Sequence, residues 1–90
     1  LMTIDPEIKT VIENQIELMI KQTKAYLPFI RLAFPGIKDL SDAAFSLLVA
    51  NVLQIFLTQY AMRLKSPTEQ DFAEFGTITT KYKEKIKKMF

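Results

Sequence analysis

Hydrophobic residues recur every three or four positions in the first third of this chain, which is the spacing of one face of an α-helix. The stripe consists of Ile8, Val11, Ile12, Ile16, Met19, Tyr26 and Ile30, with Thr23 completing it. Asp5 and Pro6 form a start signal, because aspartate is a good N-cap and proline suits the first helical position. Pro28 should end or bend the helix near Leu27. The pattern predicts a first helix over residues 6–27.

The middle of the chain carries no charged residue for twenty positions, from Ala43 to Met62. A capping residue, Ser41 or Asp39, precedes this stretch. Its apolar arc is wider than one neighbouring helix requires, which is typical of a helix buried on at least two sides. Its polar side chains form a narrow stripe, for which we expect solvent contact, with a recognition stripe or a buried register-setting network as the alternatives: Asn51, Gln54 and Thr58. The pattern predicts a central second helix over residues 42–64.

The last third opens with Ser66-Pro67-Thr68-Glu69, which has the composition of a capping box with proline at the first helical position. Apolar positions then alternate spacings of three and four, as in a heptad seam: Phe72, Phe75, Thr79, Tyr82, Ile86 and Met89. Gly76 weakens the middle by about 1 kcal/mol, yet the seam keeps its phase across it. The sequence predicts one helix over residues 67–89.

The connection between the first two helices is unusually apolar over residues 28–34 and ends in the turn signal Pro35-Gly36. We expect a short helical turn that covers the end of the bundle; the alternative is an exposed surface for a partner. Long helices with short connections predict an all-α fold, an antiparallel three-helix bundle that forms a single domain over residues 1–90.

Composition excludes several kinds of chemistry. The chain has no cysteine and no histidine, so thiol nucleophiles, disulfides, thiolate metal sites and imidazole bases are absent. Its two glycines are isolated, so no phosphate-binding loop is present. We predict no enzymatic activity, no catalytic or metal residues and no cofactor or small-molecule substrate. The absence of cysteine fits a cytoplasmic location. Leu1 looks like a cloning remnant before a natural start at Met2, and the amphipathic N-terminus predicts no targeting peptide.

The hydrophobic share of the chain, 49%, exceeds what a ninety-residue monomer needs for its core. We therefore hypothesise a non-catalytic protein–protein interaction module: a homo-oligomer, an adaptor, an inhibitor or an immunity-type protein. The predicted interface combines the apolar connection with a flank of the second helix: Phe29, Leu32, Phe34, Leu48, Ile55 and Tyr60.

Two other classes of partner compete with that hypothesis. Residues 81–90 hold five lysines against one glutamate, and a phosphate- or nucleic-acid-binding face there would comprise Lys81, Lys85, Lys87 and Lys88. The uncharged second helix is also just long enough to span a bilayer. We favour a buried central helix, because five of its twenty uncharged residues are polar and its neighbours are amphipathic.

The segment Leu40–Phe75 resembles part of a histone fold. The resemblance consists of a long apolar helix, a short loop and Thr68-x-x-Asp71 at the start of the next helix. Ser66-Pro67 stands where that fold has an arginine before the threonine, and the helix that comes first is too long. No histone property is therefore carried over to this chain.

Overall fold

The computed structural model describes residues 2–90, and the regular secondary structure of these residues is entirely helical. The helices are α1 (Pro6–Ala25), α2 (Leu27–Ala33), α3 (Leu40–Met62), α4 (Glu69–Thr80) and the short α5 (Lys83–Lys87). The all-α prediction is confirmed. Leu1, which the sequence suggests is a cloning remnant, lies outside the described residues.

Helix α1 begins where its capping signal predicts. The Asp5 side chain accepts a hydrogen bond from the backbone N–H of Glu7 at 2.9 Å. The helix ends at Ala25, and α2 starts immediately with Pro28 in its first turn, so the predicted break at this proline is confirmed. The buried side of α1 is a row of isoleucines four residues apart, namely Ile8, Ile12, Ile16 and Ile20, and Ile4 continues the row just before the helix. Tyr26, which the sequence places on the apolar stripe, is instead exposed.

Helix α3 supplies the other half of the main core. Asp39 caps it by accepting from the backbone N–H of Asp42 at 3.0 Å, and the Ser41 hydroxyl donates to the same carboxylate. The buried row of α3 is again four residues apart, namely Leu48, Val52, Phe56 and Tyr60. It packs against α1 on one side and α5 on another. All three residues of the stripe Asn51, Gln54 and Thr58 are exposed, as the sequence predicts.

The Phe56 ring is the hub that joins α3 to the C-terminal segment. It is fully buried and meets the rings of Tyr60, Phe72 and Phe75 at centroid distances of 5.1, 5.6 and 4.8 Å. Edge-to-face aromatic pairs contribute about 0.5–1.5 kcal/mol beyond the area that they bury. This cluster orients α4 against α3.

Prediction of a single third helix is wrong. The chain is helical through Gly76, but the α-helical hydrogen-bond pattern is interrupted at Lys81 and Tyr82, where the Tyr82 N–H bonds to the Thr79 carbonyl three residues back. The β-branched pair Thr79-Thr80, which precedes this tight turn, has low helix propensity. Ile86, in the short helix after the interruption, is buried in the core.

The capping box of α4 lies two residues after the predicted one. Thr68 is the N-cap, and its hydroxyl accepts from the backbone N–H of Asp71 at 3.1 Å. The Asp71 carboxylate accepts in return from the backbone N–H of Thr68 at 2.9 Å. Helix α4 therefore starts at Glu69, and Pro67 precedes the cap. Thr68 and Asp71 each accept a hydrogen bond from the backbone N–H of the other, as a capping box requires. Ser66 and Glu69 do not form such a pair.

Candidate protein-interaction surface

One long side of α3 is left uncovered by the rest of the chain. Six positions on this side alternate spacings of four and three, which is the spacing of a helix–helix seam. We call them the α3 seam: Ala43, Leu47, Ala50, Gln54, Leu57 and Ala61. At 100° per residue, the α3 seam lies roughly opposite the buried row that contains Phe56. Ala43 and Leu57 are half-buried, Leu57 against the core, and the other four are exposed. The seam is thus a second, largely exposed stripe on a helix that already has a buried one.

Leu47 is the most prominent side chain of the α3 seam, with 56% of its surface exposed. The small alanines beside it let another helix approach closely, since interaxial distance follows side-chain size. An aliphatic side chain flanked by small residues is typical of a helix-packing surface. No charged residue lies on α3 after Asp42.

Exposed apolar side chains also lie at both ends of α3. At its N-terminal end, α2 has no buried residue, and Phe29 and Leu32 are 62% and 75% exposed. The expectation that this connection covers the end of the bundle is therefore wrong, since only Phe34 and a few neighbours are partly buried. At the other end, Met62 is mostly exposed and Leu64 is 95% exposed.

Leu64 combines that exposure with an unfavourable backbone conformation. Its φ of 55° lies in the left-handed region, which costs a non-glycine residue about 1–2 kcal/mol. The conformation closes α3 with a Schellman motif, in which the Lys65 N–H bonds to the Tyr60 carbonyl and the Leu64 N–H to the Ala61 carbonyl. Glycine is the usual residue at this position. Packing within the chain does not account for the leucine.

The residues predicted for the interface divide into three groups. Phe29 and Leu32 are exposed, and Phe34 and Ile55 are half-buried. Leu48 and Tyr60 are buried in the core, so the expectation that they line an exposed flank is wrong. They belong to the four-residue row that faces α1 and α5, and no partner reaches them while the core is packed. Leu47, which the analysis of the sequence missed, is on the exposed side; the alternating spacing from Ala43 is the signal that would have found it.

Helix α3 is also long and apolar enough to cross a membrane, judged by length and composition alone. Only 22% of the most apolar eighteen-residue stretch of this helix is buried inside the fold. A central helix enclosed by its neighbours, as the sequence suggests, would be buried to a larger extent. The outward side of α3 is thus open to a partner along most of its length.

The lysines of the C-terminal segment do not share one face. Lys85 points to α1, where its ammonium lies 3.5 Å from the Glu17 carboxylate. Lys83 lies over the Phe45 ring, 5.8 Å from its centroid. Lys87 lines a shallow depression together with Arg31, Lys38 and Asp39. Lys81 and Lys88 are exposed elsewhere.

A separate polar cluster fastens the N-terminal residues to α4. Asp71 is buried beside Tyr60 and Thr3. Burial raises the pKa of Asp71, but interactions with the Thr3, Thr68 and Tyr60 groups outweigh it and lower that pKa overall. Burial, and next the charge of Asp71, raise the pKa of Tyr60 to about 12. These groups hold the fold together. Across residues 2–90, no three acidic side chains lie close enough to hold a metal ion.

No protein-family model matches this chain, and no curated protein or solved structure matches it either. Inference about function therefore rests on the surfaces described above.

Proposed function

We propose that this chain is a non-catalytic protein–protein interaction module of the cytoplasm, built as an antiparallel three-helix bundle of α1, α3 and the α4–α5 segment. The packing of α3 against α1 and α5 supports the bundle arrangement. One observation carries the proposed function: opposite its buried row, α3 has a second stripe in which Leu57 packs against the core while Leu47, Ala50, Gln54 and Ala61 stay exposed.

Apolar surface that a fold leaves open marks an interaction site when it is contiguous. The α3 seam runs over nineteen residues, Ala43 to Ala61, or about 27 Å at 1.5 Å per step. Further exposed apolar groups precede α3 on α2 and follow the seam at Met62 and Leu64. A partner helix laid along this surface would bury apolar groups without displacing a charged side chain, since none lies on the seam.

The test uses the chain as bait in affinity capture from the cells that express it, together with light scattering of the purified chain. Wild type is compared with Leu47→Asp, and Leu18→Asp is the matched control because Leu18 is about equally exposed on α1. We expect Leu47→Asp to lose a contact, with itself or with another protein, that wild type and Leu18→Asp retain. Circular dichroism verifies that both variants stay folded.

The proposed function is wrong if wild type is monomeric and the same proteins are captured by wild type, by Leu47→Asp and by Leu32→Asp. Two other outcomes point to the competing classes. Sedimentation of wild type with liposomes, abolished by Leu47→Asp, would assign α3 to a membrane surface. Binding to nucleic acid through the lysine-rich segment would assign the chain to nucleic-acid accessory proteins.

A further inference from the structure

We infer that one end of this molecule docks on the surface of a membrane that contains anionic phospholipids. This end comprises the last turn of α1, α2, the start of α3, and α5 with the residues after it, that is, residues 21–42 and 83–90. We call it the basic end. The inference goes beyond the proposed function, which concerns the α3 seam. Its basis is an outward apolar face on α2, a cluster of cations beside it, and a division of charge along the molecule.

Helix α2 has one apolar side turned to the fold and another turned to solvent. The inward side is half-buried and repeats every three or four residues: Leu27, Ile30 and Phe34. At 100° per residue, Phe29 and Leu32 lie on the opposite side of the helix, where they are 62% and 75% exposed. Exposed apolar side chains also flank α2 before and after it: Tyr26 and Ile37. An apolar helix face open to water, with basic residues nearby, is typical of a segment that lies in a membrane interface.

Four cations gather beside α2 from separate parts of the chain. Arg31 of α2, Lys38 of the connection to α3 and Lys87 of α5 line one shallow depression. Lys83 lines the neighbouring depression, which also contains Lys87. Residues that are far apart in the sequence therefore form one cationic cluster in the folded chain, and this cluster attracts anions.

The carboxylates within the cluster are fewer than the cations. Asp39 and Asp42 lie in the same two depressions. The Asp39 carboxylate caps α3, since it accepts from the Asp42 N–H at 3.0 Å and from the Ser41 hydroxyl at 2.7 Å. The ion pairs among residues 2–90 involve none of the four cations: Arg63 with Glu7, and Lys85 with Glu17. The cluster therefore keeps an excess of positive charge for an external anion.

Charge is divided between the two ends of the whole molecule in the same sense. The basic end holds eight lysines and arginines against three acidic side chains. The rest of the chain holds four against seven. Because the fold is 40 Å long and only 20–23 Å wide, an anionic surface attracts the basic end and repels the other. The charges therefore direct the exposed face of α2 toward such a surface.

A lipid surface suits both the cations and the apolar face. Anionic headgroups attract lysine and arginine, and the acyl boundary beneath them accepts aromatic and aliphatic side chains. Single-stranded nucleic acid also combines phosphates with stacking on aromatic rings such as Phe29. Bases do not stack on aliphatic side chains, however, and the most exposed apolar side chain of α2 is Leu32. An anionic membrane accounts for the leucine as well as for the cations.

Sedimentation with vesicles tests the role of charge. The purified chain is mixed with vesicles of phosphatidylcholine alone or of phosphatidylcholine with phosphatidylserine. We expect binding to the phosphatidylserine vesicles at low salt, release by high salt, and at least about tenfold weaker binding to phosphatidylcholine alone. Arg31→Gln/Lys38→Gln/Lys87→Gln should weaken binding at least about tenfold, since each charge near the surface contributes about fivefold. The control is Lys65→Gln/Lys81→Gln, outside the basic end, with an expected change below about twofold.

The apolar face is tested by a matched pair of variants. Phe29→Ser/Leu32→Ser should weaken vesicle binding at least about tenfold, because two buried apolar side chains are lost. Met62→Ser/Leu64→Ser, with side chains that are 70% and 95% exposed at the other end of α3, should leave it unchanged. The chain has no tryptophan, so Phe29→Trp should show a blue shift of emission on vesicles, whereas Leu64→Trp should not. Circular dichroism verifies that the variants stay folded.

Each other outcome overturns the inference. No vesicle binding at low salt would exclude it. Equal binding with and without phosphatidylserine would mean apolar adsorption without recognition of charge. Equal losses in Phe29→Ser/Leu32→Ser and its control would mean that another surface binds lipid. Binding to a single-stranded oligonucleotide in place of vesicles, lost in the triple glutamine variant, would assign the basic end to nucleic acid. In all these cases the capture experiment with Leu47→Asp decides the proposed function separately, whereas vesicle binding abolished by Leu47→Asp would overturn both.

Discussion

The carboxylate of Glu74 accepts a hydrogen bond from the backbone N–H of Ile4 at 2.8 Å, across seventy residues of sequence. The neighbouring N–H of Thr3 donates to the same oxygen at 2.6 Å. One side chain of α4 thereby satisfies two backbone donors that precede α1, and it holds Ile4 in the core row. The N-terminal segment is fastened before its helix begins.

Removal of this carboxylate should release the N-terminal segment. We expect Glu74→Ala to lower the free energy of unfolding by about 1–3 kcal/mol, because hydrogen bonds to a charged acceptor contribute that much. Urea denaturation followed by circular dichroism measures the loss. Gln70→Ala, an exposed neighbour on the same helix, is the control and should change stability by less than about 0.5 kcal/mol. Equal effects of the two variants would contradict the role of Glu74.

Acid should destabilise the fold through two carboxylates. Burial raises the pKa of Glu74, but the backbone N–H groups of Ile4 and Thr3 outweigh it, so the pKa lies below its ordinary value of 4.5. The pKa of Asp71 likewise lies below its ordinary value of 3.8. Since both values are depressed in the folded state, their stabilisation is present above the ordinary values and is lost as pH falls through the folded-state values.

Thermal unfolding at a series of pH values tests this expectation. The melting temperature of wild type should be steady down to about pH 5 and decline below it. The double variant Asp71→Asn/Glu74→Gln should be less stable at neutral pH and should show a shallower decline in acid. The same decline in both proteins would show that other groups cause the acid sensitivity.

Glycine at position 64 should stabilise the folded monomer. Leu64 has a φ of 55°, and glycine adopts this region without the steric cost that a leucine side chain brings. We expect Leu64→Gly to raise the free energy of unfolding by about 0.5–1 kcal/mol at low protein concentration. Leu64→Ala, which keeps the steric cost but shortens the side chain, is the matched control. A loss of stability with glycine would mean that the leucine side chain stabilises the monomer itself.

Replacement of the polar residue in the α3 seam should tighten the contact that the proposed function assigns to it. A polar side chain inside a helix seam lowers the stability of the contact while it defines the register. We expect Gln54→Leu to lower the dissociation constant of that contact about tenfold, measured by sedimentation equilibrium for self-association or by titration with a captured partner. Thr77→Leu adds a similar apolar group on α4 and should leave the constant unchanged. An effect of equal size in both variants would indicate nonspecific association.

Binding to nucleic acid through the C-terminal lysines should be weak. Lys85 is already paired with the Glu17 carboxylate, and Lys81 and Lys88 do not line the depression that contains Lys87. We expect fluorescence anisotropy to show no more than weak duplex or single-strand binding at low salt, abolished at physiological salt. Tight binding with a steep salt dependence that disappears in Lys81→Gln/Lys85→Gln/Lys88→Gln would reverse the ranking of the two functions.

Local signals in the sequence were sufficient for the helices and most of their boundaries. Asp5, Asp39 and Pro28 act through backbone groups within a few residues of themselves, so their effects are visible in the chain itself. The break at Lys81–Tyr82 was missed because the heptad spacing runs across it, and the low helix propensity of the two threonines before it is a weaker signal than that spacing. The predicted capping box lies two residues too early because Ser66 with Glu69 and Thr68 with Asp71 both have the spacing of a capping box.

Which side of α3 stays open was decided only by tertiary structure. The helix is apolar around most of its circumference, so its own pattern does not distinguish Leu47, which is exposed, from Leu48, which is buried. That choice depends on where α1 and α5 lie, and those positions result from contacts between distant residues such as Phe56 with Phe75. The sequence by itself determined that this chain forms helices with more apolar surface than one core uses. The packing of the helices determined where the surplus lies, because a helix that is apolar on every side is oriented only by its neighbours.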